Sequence, residues 1–144
     1  MITSYDNLPV SKYEAIQATV KENGDDLAIV AILAGKTEDE LLNMPLTEYE
    51  KLRDGAAFLY YEPQPHKVAK SYKIGYFELI PCTDERKLTT AQYIDFKELI
   101  KTEYTMPQIL SVFLVPKGKA YNEGYDVLEV QAAIGAELSI LDAI

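Results

Sequence analysis

The sequence predicts a predominantly helical α+β fold in one domain, 1–144, a length that buries an adequate core. Hydroxyl residues followed three positions later by Glu or Gln recur and mark helix starts. Alternating apolar residues typical of a strand occur in one segment, and two closely spaced prolines precede it. These observations predict a helical subdomain 1–62 with about four helices, a linker 63–69, and a mixed subdomain 70–144 with one or two strands and two or three helices.

Three helix starts in the N-terminal half have the spacing of a capping box, in which the hydroxyl accepts an N–H while the carboxylate reaches back. The pairs are Ser11 with Glu14, Thr37 with Glu40, and Thr47 with Glu50. They predict helices over about 12–21, 37–44 and 48–60. The first of these has Tyr13, Ile16 and Val20 on one stripe, which we expect to face the core.

A further helix over 27–34 is apolar nearly all round. Asp25 or Asp26 is its expected cap, and Gly35 suits its end because glycine adopts the left-handed conformation readily. A helix without a polar face is usually buried. We therefore expect 27–34 to form the buried centre of the N-terminal half.

Residues 70–80 have the composition and alternation of a β-strand. Tyr72, Ile74 and Tyr76 would lie on one face, opposite Lys73, Gly75 and Phe77. The segment predicts one strand, with a hairpin continuing over 82–87 as an open alternative.

Thr89 and Gln92 form another capping box, followed at helical spacing by Tyr93, Phe96, Leu99 and Ile100, which we expect to face inward. Pro107 suits the first turn of a helix over 108–115. The β-branched and aromatic residues of 108–115 also favour a strand, so both assignments stay open there.

Asp126 with Glu129 predicts the start of the last helix. Its apolar residues recur at helical spacing and make one continuous stripe. They are Val127, Val130, Ile134, Leu138 and Leu141.

The formal charge of −9 opposes binding to nucleic acid or to an anionic membrane, because both rely on Lys and Arg. Residues 1–65 have a net charge of −7 and residues 66–144 of −2, which suits a basic protein partner. The longest apolar run, 27–34, is too short to span a bilayer, and 1–6 lack the features of a secretory signal. With Cys82 as the single cysteine, we expect a cytosolic protein.

Residues equipped for catalysis are scarce. The one histidine, His66, is expected as an exposed loop residue, and Cys82 as an inert thiol. Asp95 and Glu98 lie one helical turn apart and leave a carboxylate-dependent hydrolase as a minor alternative. One Cys and one His provide no zinc site. We therefore predict no catalytic residue, no metal and no cofactor.

Tyrosine is unusually frequent, with eleven in the chain and no tryptophan. Its apolar body and polar tip suit both packing and protein interfaces. We regard the loop 117–126 as the best interface candidate because two tyrosines bracket its turn. The candidate interface residues are Tyr60, Tyr61, Tyr104, Lys117, Lys119, Tyr121, Asn122 and Tyr125.

Two segments carry a resemblance to a known family. They read Leu-Ala-Gly-Lys-Thr-Glu-Asp-Glu-Leu at 33–41, followed by Met-Pro-Leu at 44–46, and Thr-Ala-Gln-Tyr-Ile-Asp-Phe at 90–96. The chain resembles small virion-morphogenesis proteins of bacteriophages that infect Bacteroides-type bacteria, and it is similar to tail assembly chaperones. The similarity spans most of the chain, and its motifs are packing and capping patterns.

This resemblance implies a non-enzymatic protein of the host cytoplasm that binds the tape measure protein and keeps it soluble during tail tube assembly. It implies no catalytic residue. Two alternatives stay open: a ring, connector or adaptor subunit that remains in the virion, and a phage protein that binds a host protein. A homo-oligomer is compatible with each, because the apolar stripes of the first and last helices suit a core or a contact between copies.

Overall fold

Eight α-helices and a three-stranded antiparallel sheet form the secondary structure of this computed structural model, which describes residues 1–22, 24–82 and 87–143. The helices are α1 Val10–Lys21, α2 Asp26–Ala34, α3 Glu38–Leu42, α4 Leu46–Gly55, α5 Thr90–Leu99, α6 Met106–Phe113, α7 Val127–Glu137 and α8 Ile140–Ala143. The strands are β1 Tyr72–Ile74, β2 Phe77–Pro81 and β3 Leu114–Pro116. The predicted α+β, mainly helical fold is confirmed, with four helices before the sheet.

Several predicted helix ends are confirmed in atomic detail. The side chain of Asp25 accepts the Ala28 N–H at 3.1 Å and caps α2, which ends at Gly35 in the left-handed conformation with φ 66°. Thr37 caps α3 by accepting the Glu40 N–H at 3.1 Å. These ends were predictable because each depends on residues within one turn of the chain.

Two predicted capping boxes, at Ser11 and Thr47, are wrong. α1 and α4 begin one residue earlier than those hydroxyls, with Pro9 and Pro45 in extended geometry as the preceding residues. Glu14 accepts the N–H of Met106 at 3.1 Å, so its carboxylate caps α6 from another part of the chain. After α4 ends, a 3₁₀ helix covers Ala57–Tyr60, where the sequence predicted a longer α-helix.

The segment predicted as one strand over 70–80 is a hairpin. β1 pairs with β2 in a register that sets Ile74 opposite Phe77, so the chain reverses at the two residues between them. Gly75 has φ 57°, a conformation that suits the first central position of a two-residue hairpin turn. Tyr76, predicted to share a face with Ile74, is the other turn residue and is fully exposed. The alternative hairpin over 82–87 includes residues 83–86, which lie outside the described residues.

Both assignments considered for 108–115 occur in succession. α6 ends at Phe113, and β3 continues directly from it and pairs with β2, placing Val115 opposite Ile80. Helix α6 begins at a capping box formed by Thr105 and Gln108, with Pro107 in the first turn as predicted. The sheet therefore has three strands where one or two were predicted.

The core lies where α7 packs against α1, α6 and the sheet. One group of buried side chains contains Val10, Ile74, Leu79, Leu114, Val130, Ile134 and Leu138. A second group, around the N-terminal helices, contains Leu8, Ile16, Leu33, Ile140 and Leu141. In α2 the residues Val30, Ala31 and Leu33 are buried and the other apolar ones are half-buried. Val20 of α1, expected to face inward, is exposed.

The last helical segment is interrupted near its end. Leu138 is extended, and its carbonyl accepts the N–H of Val10 at 3.0 Å. Two residues later, the N–H of Ile140 donates to the carbonyl of Leu8 at 2.8 Å. The predicted apolar stripe therefore continues through two helices, because the Leu138 carbonyl and the Ile140 N–H bond to the segment around Pro9 and not within a continuous helix.

Across the described ranges, no helix combines the length and apolar character needed to cross a membrane.

Candidate protein interaction surface

Helix α5 is anchored at its first turn. The Thr89 hydroxyl accepts the Gln92 N–H at 3.1 Å, and the Gln92 side-chain oxygen accepts the Thr89 N–H at 2.9 Å. This confirms the predicted capping box. The Gln92 side chain is buried and donates its amide N–H to the Val112 carbonyl at 2.8 Å. One glutamine therefore caps α5 and ties it to α6.

The packed face of α5 lies against α6. The rings of Phe96 and Phe113 meet edge to face with centroids 5.6 Å apart. Phe96 and Leu99 are half-buried, as expected of the inward stripe. Tyr93 and Ile100, predicted to share that stripe, are exposed instead. The predicted inward face was too wide because α5 packs mainly against one neighbour, α6.

The outer face of α5 and the segment after it carry exposed apolar side chains. We call this set the α5 surface: Tyr93, Ile94, Ile100 and Tyr104. Each of the four is between 43% and 53% exposed. Single exposed apolar residues are common, but a helix with several on one side indicates a binding surface when they form a patch.

An open groove of about 600 Å³ runs beside this surface, between α5 and α6. Its lining includes Leu88, Tyr93, Phe96, Lys97 and Phe113. The Lys97 ammonium lies 5.5 Å from the centre of the Tyr93 ring, a cation–π contact at the groove's edge. Among the described residues, the lining of the groove therefore combines three aromatic rings with Leu88, two threonines and one cationic group.

The loop predicted as an interface is ordered by two tyrosines. The Tyr121 hydroxyl donates to Asp95 of α5 at 2.6 Å, and the Tyr125 hydroxyl accepts the Asn122 N–H at 2.9 Å. Burial, followed by the hydrogen bond to Asp95, raises the pKa of Tyr121, so its hydroxyl remains a donor. Asn122 has φ 58°, the left-handed conformation that asparagine tolerates.

The eight sequence-predicted interface residues fall into separate places. Lys117, Lys119 and Tyr121 line one cavity, and Asn122 and Tyr125 lie in the same loop. Tyr104 belongs to the α5 surface. Tyr60 and Tyr61, 87% and 74% exposed, follow α4 in the N-terminal half; Tyr60 lines a hollow with Ile29 and Arg53.

His66 has partners that the sequence did not indicate. Its Nδ1 lies 2.9 Å from Asp142 and its Nε2 lies 2.9 Å from Asp6. The hydrogen bond to Asp142 is the main cause that raises the pKa of His66. The side chain remains partly exposed, as expected of a loop residue. With a carboxylate on each ring nitrogen, His66 serves as a clamp between distant segments.

The carboxylates considered for chemistry have structural contacts. Asp95 accepts the Tyr121 hydroxyl, and Glu98 lies 3.3 Å from the Lys101 ammonium. Both acids line a cavity of about 400 Å³ with Gln108 and other polar residues. Cys82 is half-buried after β2, and its N–H donates to the Phe113 carbonyl at 2.8 Å. The described part of the chain has no group of three or more His, Cys, Asp or Glu placed to hold a metal.

Ile94 is exposed, and the sequence analysis did not select it as an interface residue. It lies outside the helical spacing of Tyr93, Phe96, Leu99 and Ile100. The sequence did hold one signal, because Tyr93 and Ile94 are consecutive apolar residues and cannot both face the single main neighbour of α5.

Comparison of the chain with models of protein families, with curated proteins and with solved structures gives no match.

Proposed function

We propose that this protein is a non-enzymatic bacteriophage assembly factor, a tail assembly chaperone that binds a helical segment of the tape measure protein. The segments 33–41 and 90–96 support this through their resemblance to that family. The proposed site of action is the host cytoplasm before the tail tube forms.

The α5 surface and its groove are the observation that carries the proposal. An amphipathic helix binds a groove by inserting apolar side chains one turn apart. The groove beside Tyr93, Phe96 and Phe113 offers aromatic walls for such side chains. Ile94 and Ile100, exposed in and just after the same helix, offer further apolar area for the client. A chaperone for an apolar helix needs an exposed surface of this kind, which would otherwise be an aggregation hazard.

The charge of the chain supports the same proposal. A net charge of −9 keeps a complex with an apolar client in solution, because like-charged complexes repel one another. Lys97 at the groove's edge adds one positive group that suits an acidic residue flanking the client's apolar stripe.

Co-expression with a helical segment of the tape measure protein tests the proposal. The wild-type chain is expected to raise the soluble fraction of that segment, and the pair Ile94→Asp with Ile100→Asp to abolish the effect. The matched control, Val20→Asp with Leu42→Asp, introduces the same charge at exposed apolar positions outside the α5 surface. The proposal fails if the wild type does not solubilise the segment, or if both double variants lose activity equally.

The alternative of a ring, connector or adaptor subunit has support in the small sheet, because a mixed α+β half departs from an all-helical chaperone. Quantitative mass spectrometry of purified particles separates the two proposals. A fixed ratio of this protein to the portal or tail tube subunit favours the virion component. Absence from particles, with abundant protein in infected lysate, favours the chaperone.

A further inference from the structure

The turn between α3 and α4 carries two leucines that the rest of the fold leaves uncovered. Leu42 is the last residue of α3 and Leu46 is the first residue of α4. Each is 68% exposed, which is more than any residue of the α5 surface. Removing a leucine side chain from water is favourable, so two uncovered leucines at one turn offer apolar area to a partner.

The packing of α3 and α4 explains why the two leucines stay outside. Both helices pack on α2, where Leu41 is buried and Met44, Tyr49 and Leu52 are partly buried around it. Consecutive residues of a helix point about 100° apart, so Leu42 lies off the side of α3 on which Leu41 contacts α2. Neither exposed leucine belongs to this apolar cluster.

The two leucines are close enough for one partner helix to contact both. Four chain positions separate them, so their Cα atoms lie at most about 14 Å apart. The backbone and side-chain N–H groups of Asn43 both donate to the Asp39 carbonyl, at 3.1 and 2.9 Å. The Met44 N–H donates to the Leu41 carbonyl at 3.3 Å. A turn held by these hydrogen bonds therefore presents both leucines.

Exposed carboxylates flank the leucines on both sides in the sequence. Residues 38–50 contain five acids and no Lys or Arg, and they lie inside the described range 24–82. Lys36 lies 3.8 Å from Glu40, but both side chains are exposed, so this ion pair contributes little. Acids in a first turn favour helix formation, a role that does not account for the exposed leucines beside them. We call the leucines and these acids the α3–α4 surface: Glu38, Asp39, Glu40, Leu42, Leu46, Glu48 and Glu50.

We propose that the α3–α4 surface binds a basic amphipathic helix of another protein. Apolar side chains two turns apart on such a helix are separated by about 10.5 Å, which suits contact with both leucines. Lys or Arg residues beside them would pair with the carboxylates, and this complementary charge selects a basic partner over an acidic one. A second copy of this chain fits less well, because the net charge of −9 makes copies repel one another.

This proposal does not depend on the chaperone function. The α3–α4 surface is distinct from the α5 surface, which is why Leu42 serves as a control position in the test of client solubility. Failure of one proposal therefore leaves the other standing.

Titration with a synthetic peptide tests the surface. The probe is a fluorescein-labelled helical peptide of about 14 residues, with leucines on one side and lysines on the other. Fluorescence anisotropy is expected to show binding to the wild type that weakens as salt is added. Amide chemical shifts should change most at Leu42, Asn43, Leu46 and Thr47. The same peptide with glutamates in place of lysines is expected not to bind.

Two double variants separate contact with the leucines from general attraction to an acidic protein. Leu42→Ser with Leu46→Ser keeps every charge and is expected to weaken binding about tenfold or more, because apolar contact is lost. The matched control, Val20→Ser with Leu128→Ser, makes a similar change at exposed apolar positions elsewhere. It is expected to change the dissociation constant less than about threefold. Circular dichroism of each variant verifies the fold.

Three results would overturn the proposal. The first is absence of binding to the wild type, and the second is equal weakening in the two double variants, which would show attraction to negative charge alone. The third is dimerisation of the wild type in sedimentation velocity that Leu42→Ser with Leu46→Ser abolishes, because a second copy would then occupy the surface.

Discussion

His66 Nδ1 lies 2.9 Å from Asp142 Oδ1, although 76 positions separate the two residues. The backbone N–H of His66 donates to the carbonyl of Leu141 at 2.9 Å. The other ring nitrogen, Nε2, lies 2.9 Å from Asp6 Oδ1. These contacts tie the irregular segment before β1 to α8 and to a short 3₁₀ helix, Tyr5–Asn7, which contains Asp6. A segment without helix or strand is therefore held at a defined position.

The clamp predicts a pH-dependent stability. The pKa of His66 is raised above its usual 6.5 by Asp142 and Asp6, so the folded protein binds a proton more tightly than the unfolded chain. The resulting stabilisation is fully present below the unfolded pKa and is lost as pH rises through the folded pKa. Urea unfolding at several pH values is expected to show this decrease in the wild type and not in His66→Gln.

The same residue can be titrated directly, because it is the single histidine of the chain. Proton NMR of its ring is expected to give a pKa above 6.5. Asp142→Asn is expected to lower that value more than Asp6→Asn, since Asp142 is the larger cause. A pKa at or below 6.5 in the wild type would contradict the clamp.

Gln92 is expected to be important for stability despite lying in an outer helix. Gln92→Leu removes the side-chain half of the capping box, which accepts the Thr89 N–H, and leaves the buried Val112 carbonyl without its side-chain donor. The expected loss in the free energy of unfolding is about 1–3 kcal/mol. Gln17→Leu, at an exposed position of α1, is the control and should change it by less than about 0.5 kcal/mol. Thermal or urea unfolding measures both.

Ile134 tests the packing of α7. The side chain is fully buried between α7 and its neighbours, so Ile134→Ala should cost about 2–5 kcal/mol in unfolding free energy through lost contacts and a cavity. Leu128→Ala, on the same helix and 71% exposed, should have little effect. Similar losses for the two variants would show that α7 is oriented differently.

Tyr121→Phe tests the contact between the loop 117–126 and α5. Removing the hydroxyl breaks its hydrogen bond to Asp95 and is expected to reduce the unfolding free energy by about 1 kcal/mol. Tyr104→Phe, at an exposed tyrosine, is the control. If Asp95→Asn is made in addition to Tyr121→Phe, the two losses should not add, because both remove the same bond.

Local chemistry decided which parts of the fold the sequence could predict. Asp25, Thr89 and Gly35 act within one turn, so their roles were readable from neighbouring residues. Glu14 had the spacing of a local capping box with Ser11, but its carboxylate accepts the N–H of Met106, which lies 92 positions away. Such long-range partners leave no periodic pattern in the sequence.

In the candidate surfaces, too, features that depend on neighbouring residues were predictable and features that depend on distant contacts were not. The loop 117–126 was predictable from its glycines and tyrosines, and Tyr121 does anchor it. The exposure of Tyr93 and Ile100 was not, because helical spacing shows which residues share a face and not how many neighbours cover that face. The cavity lined by Lys117, Lys119 and Tyr121 depends on the pairing of β2 with β3, which the sequence did not predict.

The pairing of Leu8 and Val10 with Ile140 and Leu138 affects how the chain folds during synthesis. Contacts between residues far apart in sequence form late, because closing so long a loop costs entropy before any contact compensates for it. While the first helices leave the ribosome, their partners in α7 and α8 do not yet exist. Helix α2 follows α1 directly and can cover part of its apolar side early. The part that α7 and α8 cover stays exposed until translation has passed residue 140, and exposed apolar surface of this kind favours aggregation during synthesis.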